Sequence, residues 1–183
     1  MSLIVELEGK EYKMPEGWHE VNLDMFEKII KHIGLLSEYK SQYQYSVEML
    51  AILIGCSYDD LKKMTRGSFE ELSNLVGWAS ENVVPNGIRE WTIDGEEWMS
   101  VKNLDSLNMG DVVSLEIMIA NSNPHDLLTN ILPILIRRVK LVQKGGQTCK
   151  IPSDFNADEY NEIKELFKKN LMVSDVSELR DFF

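Results

Sequence analysis

Two short runs at the head of the chain alternate apolar and polar residues, Leu3-Ile4-Val5-Glu6-Leu7 and Lys10-Glu11-Tyr12-Lys13-Met14. Glu8-Gly9 between them predicts a β-hairpin. Pro15 to Gly17 ends that pattern, and beyond Trp18 and Val21 the period becomes helical. Leu23, Phe26, Ile29, Ile30 and Ile33 recur on one side behind Asn22 as N-cap, predicting a helix over about 23–36. Tyr45 to Ile54 reads as a buried helix closed by Gly55. Ser57, three residues before Asp60, opens a short helix with Leu61 and Met64 on one edge. Ser68, followed by Glu70 and Glu71, opens a longer one carrying Phe69, Leu72, Leu75, Val76 and Ala79.

After the break at Val83 to Gly87, Ile88 to Ile93 and Glu96 to Met99 flank Asp94-Gly95, the strongest short hairpin signal in the chain. This hairpin and the residues after it echo the first half at an offset of 86 residues. Gly9 falls on Gly95, Tyr12 on Trp98, Val21 on Leu107, Asn22 on Asn108, Leu23 on Met109, Phe26 on Val112, Ile29 on Leu115 and Ile33 on Ile119. Each half then reads as a hairpin, a connection, an Asn-started helix and a second apolar helix, Tyr45 to Ile54 in one and His125 to Val139 in the other. Hairpin-then-helix order is common in proteins, so the match is read either as duplication or as recurrence of a frequent unit. Beyond residue 140, Gln143 to Gln147 is a loop or loose hairpin. Ala157 to Lys169 predicts a charged helix with Tyr160, Ile163, Leu166 and Phe167 on one side, and Ser174 predicts the cap of a last helix from Asp175 to Phe183.

The expected fold class is therefore α+β and helix-rich, built of two hairpin-plus-helix-pair units with a C-terminal helical extension. Residues 1–87 form the first unit and 88–140 the second, packed on the first; 141–183 supply the loop and the extension. A short hairpin is marginal alone in water, so each needs helices to pack on.

Charge and composition narrow the function classes. The chain of 183 residues has 19 Lys and Arg against 30 Asp and Glu, a formal charge of −11, so no nucleic-acid partner and no anionic-membrane role are expected. Its densest basic groups are Lys62, Lys63 and Arg66, then Arg137, Arg138 and Lys140. Val47 to Ile54 and Leu127 to Ile136 fall short of a membrane span. The first residues lack the positive leader of a secretory signal. Cys56 and Cys149 have no Cys-x-x-Cys spacing, which signals neither a zinc site nor a disulfide framework.

No motif announces a reaction. His19, His32 and His125 form no metal-ligand pair by spacing; they read as surface or packed histidines unless a distributed site assembles in space. Cys56, just before a helix start, is either a reactive thiolate favoured by the helix terminus or a small buried hydrophobe. Asp59-Asp60, Glu70-Glu71 and Glu96-Glu97 read as capping or surface acids rather than acid–base pairs. Glycine-rich nucleotide loops are missing from the sequence. No catalytic residue, cofactor or metal is expected. Tyr39, Tyr43 and Tyr45, and Phe182 and Phe183 at the end of the chain, are the candidate partner-binding residues, because aromatic side chains offer large contact area at low entropic cost. Trp18, Trp91 and Trp98 serve either as core tethers or as contact residues.

The stretch Gly9-Lys10-Glu11-Tyr12, the run Pro15-Glu16-Gly17-Trp18-His19-Glu20-Val21-Asn22-Leu23, the Ile54-Gly55-Cys56-Ser57 turn with Leu61, the Ile93-Asp94-Gly95 hairpin and the tail from Leu166-Phe167 to Phe182-Phe183 together resemble small tailed-bacteriophage proteins, described as tail assembly chaperones or virion proteins. The second half departs from that group where Ile131 to Leu135 is followed by Arg137, Arg138 and Lys140. What the resemblance implies is a non-enzymatic protein of virion morphogenesis, either a chaperone or a head-to-tail ring component. Its partners would be other phage structural proteins or its own copies in an oligomer. It would act in the host cytoplasm during assembly, with retention in the virion left open. Apolar helix faces and the terminal phenylalanines would anchor the partner, and acidic rims would select a basic one. Two alternatives from other classes stand beside it: a host-directed acidic binding protein, and an enzyme with a site assembled around Cys56 or His19.

Overall fold

The computed structural model describes residues 3–7 and 9–182, the side chains of residues 180–182 excepted. The class is α+β, and the chain divides into two compact units. The first holds residues up to Val84 and takes back Met172–Ser174; the second holds Pro85–Leu171 and resumes at Asp175. The expected boundary near residue 87 lies three positions from this division. The expected boundary at 140 falls inside a strand.

In the first unit, β1 (Leu3–Leu7) pairs antiparallel with β2 (Lys10–Met14) in the register Leu3 to Met14 and Val5 to Tyr12. Because side chains alternate across a strand, Val5, Leu7 and Met14 face inward while Ile4, Glu6 and Lys13 face water. A 3-10 turn at Trp18–Glu20 leads to α1 (Leu23–Gly34), whose first free N–H groups are met in part by Asn22: its side chain accepts from Met25 N at 2.9 Å. Then come α2 (Gln42–Ile54), α3 (Tyr58–Leu61) and α4 (Arg66–Leu75). Gly55 closes α2 in the left-handed conformation and Ser57 caps α3, as their positions in the sequence predict. For α4 the expected cap is wrong. Thr65, not Ser68, takes the extended N-cap conformation and accepts the Ser68 N–H at 3.2 Å, so the helix starts one turn early. It also ends before Ala79, which lies in a 3-10 turn, Gly77–Ser80. Val5, Leu7 and Met14 of the hairpin pack with Leu50, Ala51, Ile54, Leu61 and Leu72 in one core.

The second unit opens with the same parts in the same order. β3 (Glu90–Ile93) and β4 (Glu96–Ser100) form a hairpin, a 3-10 turn occupies Leu104–Ser106, and α5 (Met109–Asn121) starts behind Asn108. Strand turns, 3-10 turns and helix starts recur at the 86-residue offset across 3–34 and 89–120, so the echo in sequence is an echo in structure. Asp94 at φ 51° and Gly95 at φ 82° make the primed two-residue turn that matches strand twist. Asn108 and Asp111 complete a capping box, each side chain accepting the other's backbone N–H, at 3.0 and 3.2 Å.

Thereafter the halves part. The expected helix from His125 to Val139 is only α6 (Leu127–Leu135); from Ile136 the chain is β5 (Ile136–Lys144), and Gln147–Pro152 is β6. Ser100, Met99 and Trp98 of β4 pair with Ile136, Arg137 and Arg138, giving a sheet ordered β3-β4-β5-β6. The reason is tertiary: β4 offers an open ladder about forty residues upstream, which a local reading cannot see. Gly145-Gly146, both at positive φ, turn β5 into β6 as a regular hairpin. The apolar α6, buried nearly all round, packs against α5 and α7 (Tyr160–Asn170). Trp98, fully buried, stands edge-on to Phe167 at 5.0 Å and carries the Arg138 guanidinium 4.8 Å above its ring. The last helix begins earlier than expected, as α8 (Val173–Val176), with Ser174 inside it, and continues as a 3-10 stretch, Ser177–Phe182.

Candidate partner-binding surfaces

The three candidate contact tyrosines divide in the structure. Tyr39 and Tyr45 turn inward around His32, which is 5% exposed. Tyr45 stacks on the imidazole at 4.4 Å, Tyr39 meets it edge-on at 5.3 Å, and the two phenol rings are 5.5 Å apart. His32 Nε2 donates to the Tyr45 carbonyl at 2.9 Å, and Tyr39 donates its hydroxyl to Glu48, whose other oxygen accepts from Gln44 at 3.0 Å. The carboxylate beside it pushes the Tyr39 phenol up to about 12, with burial adding to the effect; the same hydrogen bond holds Glu48 below the usual carboxylate range. This network ties the end of α1 to α2. Its aromatic surface is spent on the fold.

Tyr43 behaves otherwise. It is 58% exposed on α2 and stands beside Phe69 of α4, ring centroids 6.5 Å apart, at the mouth of an open groove of about 250 Å³. Val47, Leu61 and Met64 form the apolar floor, where the unit's core comes to the surface. Lys62 and Arg66 stand on its lips. Each cation has a local carboxylate partner, Asp59 for Lys62 and Glu70 for Arg66, the latter at 2.7 Å.

A second surface lies on α5. Met109, Val113 and Ile117, spaced four apart and therefore on one stripe, are 74%, 48% and 52% exposed, while Asp111 and Leu115 face inward. The internal repeat supplies a control. At the same positions α1 carries Leu23, Glu27 and Lys31: an apolar residue that is fully buried, then two charges. Leu23 is covered where the chain returns, with Val173 N donating to the Val21 carbonyl at 2.9 Å and Met172 bridging Asn22. Among the described residues no strand bridges Leu107, Asn108 or Met109. The α5 stripe was legible in principle, since Met109 to Asn121 is apolar on almost every side, and such a helix is ordinarily covered. The positions that match the core side of α1, Val112, Leu115 and Ile119, lie on a different stripe.

Of the terminal aromatics, Phe183 and the Phe182 side chain lie outside the described residues. Val173, Val176 and Leu179 just before them are buried.

Cys56 is half-buried against the first unit's core, and burial pushes its thiol up, with Asp60 adding to the effect. The expected gain from the α3 terminus is overridden, because α3 has only four residues and its first turn carries two acids. His19 is exposed on the 3-10 turn beside Gly17. No group of three metal-ligating side chains occurs among the described residues. Among them, no helix is long and apolar enough to cross a membrane.

Arg137 and Arg138 of the second half are taken up by carboxylates of the same chain. Arg138 pairs with Glu96 at 2.7 Å and with Glu159. Arg137 is buried, 3.0 Å from the equally buried Asp111, and donates to the Ile134 carbonyl at 2.9 Å. No protein-family model, curated protein or solved structure matches this chain significantly.

Proposed function

We propose that this protein works by binding another macromolecule through surfaces of its folded units and makes or breaks no covalent bond, and that it serves tailed-phage assembly as a chaperone or virion component. The observation that carries the contact reading is the α5 stripe. Met109, Val113 and Ile117 leave apolar area in water where the repeated helix α1 is covered or charged, and such a stripe on a folded unit marks an interaction face. The tyrosine–histidine network and the raised Cys56 thiol speak for structural roles of the groups an enzyme reading would use. The assembly context rests on the resemblance carried by the turn and capping segments.

Mass spectrometry of purified virions, with chemical cross-linking in cells producing the phage, tests the proposal. Cross-links from α5 to a phage structural protein or to a second copy are expected. Their absence, with cross-links only to host proteins, would transfer the contact reading to a host-directed binder.

A further inference from the structure

The groove between α2, α3 and α4 is separate from α5, and its chemistry is legible. Its floor is aliphatic and thioether, its mouth is aromatic, and its lining includes two cations and no carboxylate, in a chain of net charge −11. At about 250 Å³ it is smaller than the roughly 300–1,000 Å³ typical of small-molecule sites. That volume suits one large side chain inserted from a peptide. Met64 on the floor adapts its shape to different anchors.

The lip cations are available despite their partners. Lys62–Asp59 and Arg66–Glu70 are exposed pairs three and four residues apart on the surface. Exposed pairs of this kind contribute little, so an incoming carboxylate can exchange for either. An incoming base would find cations lining the groove, and the nearby carboxylates, Asp59 and Glu70, are outside its lining and already paired. Charge complementarity therefore selects the occupant.

We propose that this groove is a peptide-docking site for a partner segment in which one aromatic or long aliphatic side chain is flanked by aspartate or glutamate. The anchor enters between Tyr43 and Phe69 over Met64, and the flanking carboxylates pair with Lys62 and Arg66. This reverses, at one place, the preference for basic partners that the overall charge implies. It rests on the partner-binding reading only in taking the occupant to be a protein segment.

Selection of a ribosome-displayed random-peptide library on the full chain tests it, followed by fluorescence anisotropy of the enriched peptides. Enriched sequences should carry Phe, Trp, Leu or Met within a few residues of two or more acids. Their affinity should fall about tenfold or more on Lys62→Glu/Arg66→Glu, fall with added salt, and weaken on Tyr43→Glu, with circular dichroism unchanged because all three positions are exposed. Enrichment of basic or uncharged sequences, equal binding to the charge-reversed variant, or no enrichment would each overturn the proposal. The library contains no phage protein, so a failed assembly role leaves a positive result standing. Conversely, failure here leaves the α5 stripe untouched.

Discussion

Replacing Asp111 with alanine tests how the second unit is held together. Asp111 does two jobs: it completes the capping box at the start of α5, and its carboxylate faces the Arg137 guanidinium at 3.0 Å in a site from which water is almost excluded. The contact is off the line of an aligned hydrogen bond, since Arg137 Nη2 has no well-directed acceptor among the described residues; charge, more than bond geometry, holds the pair. Without the carboxylate, Arg137 keeps the Ile134 and Ser153 carbonyls, at 2.9 and 3.3 Å, and the face of Phe155 at 6.0 Å, and its buried charge has lost its counter-ion. Breaking a buried pair in this way costs about 3–5 kcal/mol. Against a typical domain stability of about 5–15 kcal/mol, that is a large fraction of the whole. Urea unfolding followed by tryptophan fluorescence, with hydrogen exchange to locate the loss, should show it in β3–β6 and α5–α7, with residues of the first unit protected as before. The double variant Asp111→Leu/Arg137→Met removes both charges together and should recover most of the loss. A loss under about 1 kcal/mol for Asp111→Ala, or a double variant no better than the single, would refute the reasoning.

Tyr39 should titrate near pH 12 by tyrosinate absorbance; its folded value lies above the ordinary one, so the stability it lends is whole below about pH 10 and is lost as pH climbs through about 12. Tyr39→Phe should abolish that high-pH step, and a Tyr39 titrating near 10 would contradict the Glu48 hydrogen bond. Asn22→Ala and Asn108→Ala each remove an N-cap and should cost about 1 kcal/mol in denaturant unfolding; in Asn108→Ala the Asp111 backbone N–H loses its acceptor, while the Asp111 carboxylate keeps the backbone N–H of residue 108. Cys56 should react with iodoacetamide more slowly in the native protein than in urea; fast, selective native labelling would revive a nucleophile at that position.

Local chemistry was legible in the sequence and long-range pairing was not. Asp94-Gly95, Asn22, Asn108, Ser57 and Gly55 each act within a few residues of themselves, so their turns and caps can be read one by one. Ile136 to Arg138 are strand because β4 lies waiting for them, and Arg137 is buried on β5 because Asp111, from α5, compensates it. Thr65 and Ser68 were both adequate caps by residue type, and the structure uses Thr65, whose hydroxyl accepts the Ser68 N–H. The tyrosines show the same divide. Their composition suggested contact, but only Tyr43 stays open, since His32 and Glu48, from α1 and α2, draw Tyr39 and Tyr45 inward. The groove over Met64 could not be seen at all, because Lys62 and Arg66 flank an apolar slot only once α3 and α4 are folded.

The central claim is that apolar area left open on α5 is there to be covered by another macromolecule. Met109, Val113 and Ile117 are about half exposed or more, and covering them would contribute about 3–5 kcal/mol in total, given about 1.5–3 kcal/mol for full burial of one such side chain. The direct measurement compares the wild type with Val113→Glu/Ile117→Glu in quantitative cross-linking and co-purification from phage-producing cells, with circular dichroism as the control for folding. An unchanged fold and loss of the α5 cross-links are expected, with affinity for the partner reduced roughly ten- to a hundredfold. Full capture by the charged variant would contradict it.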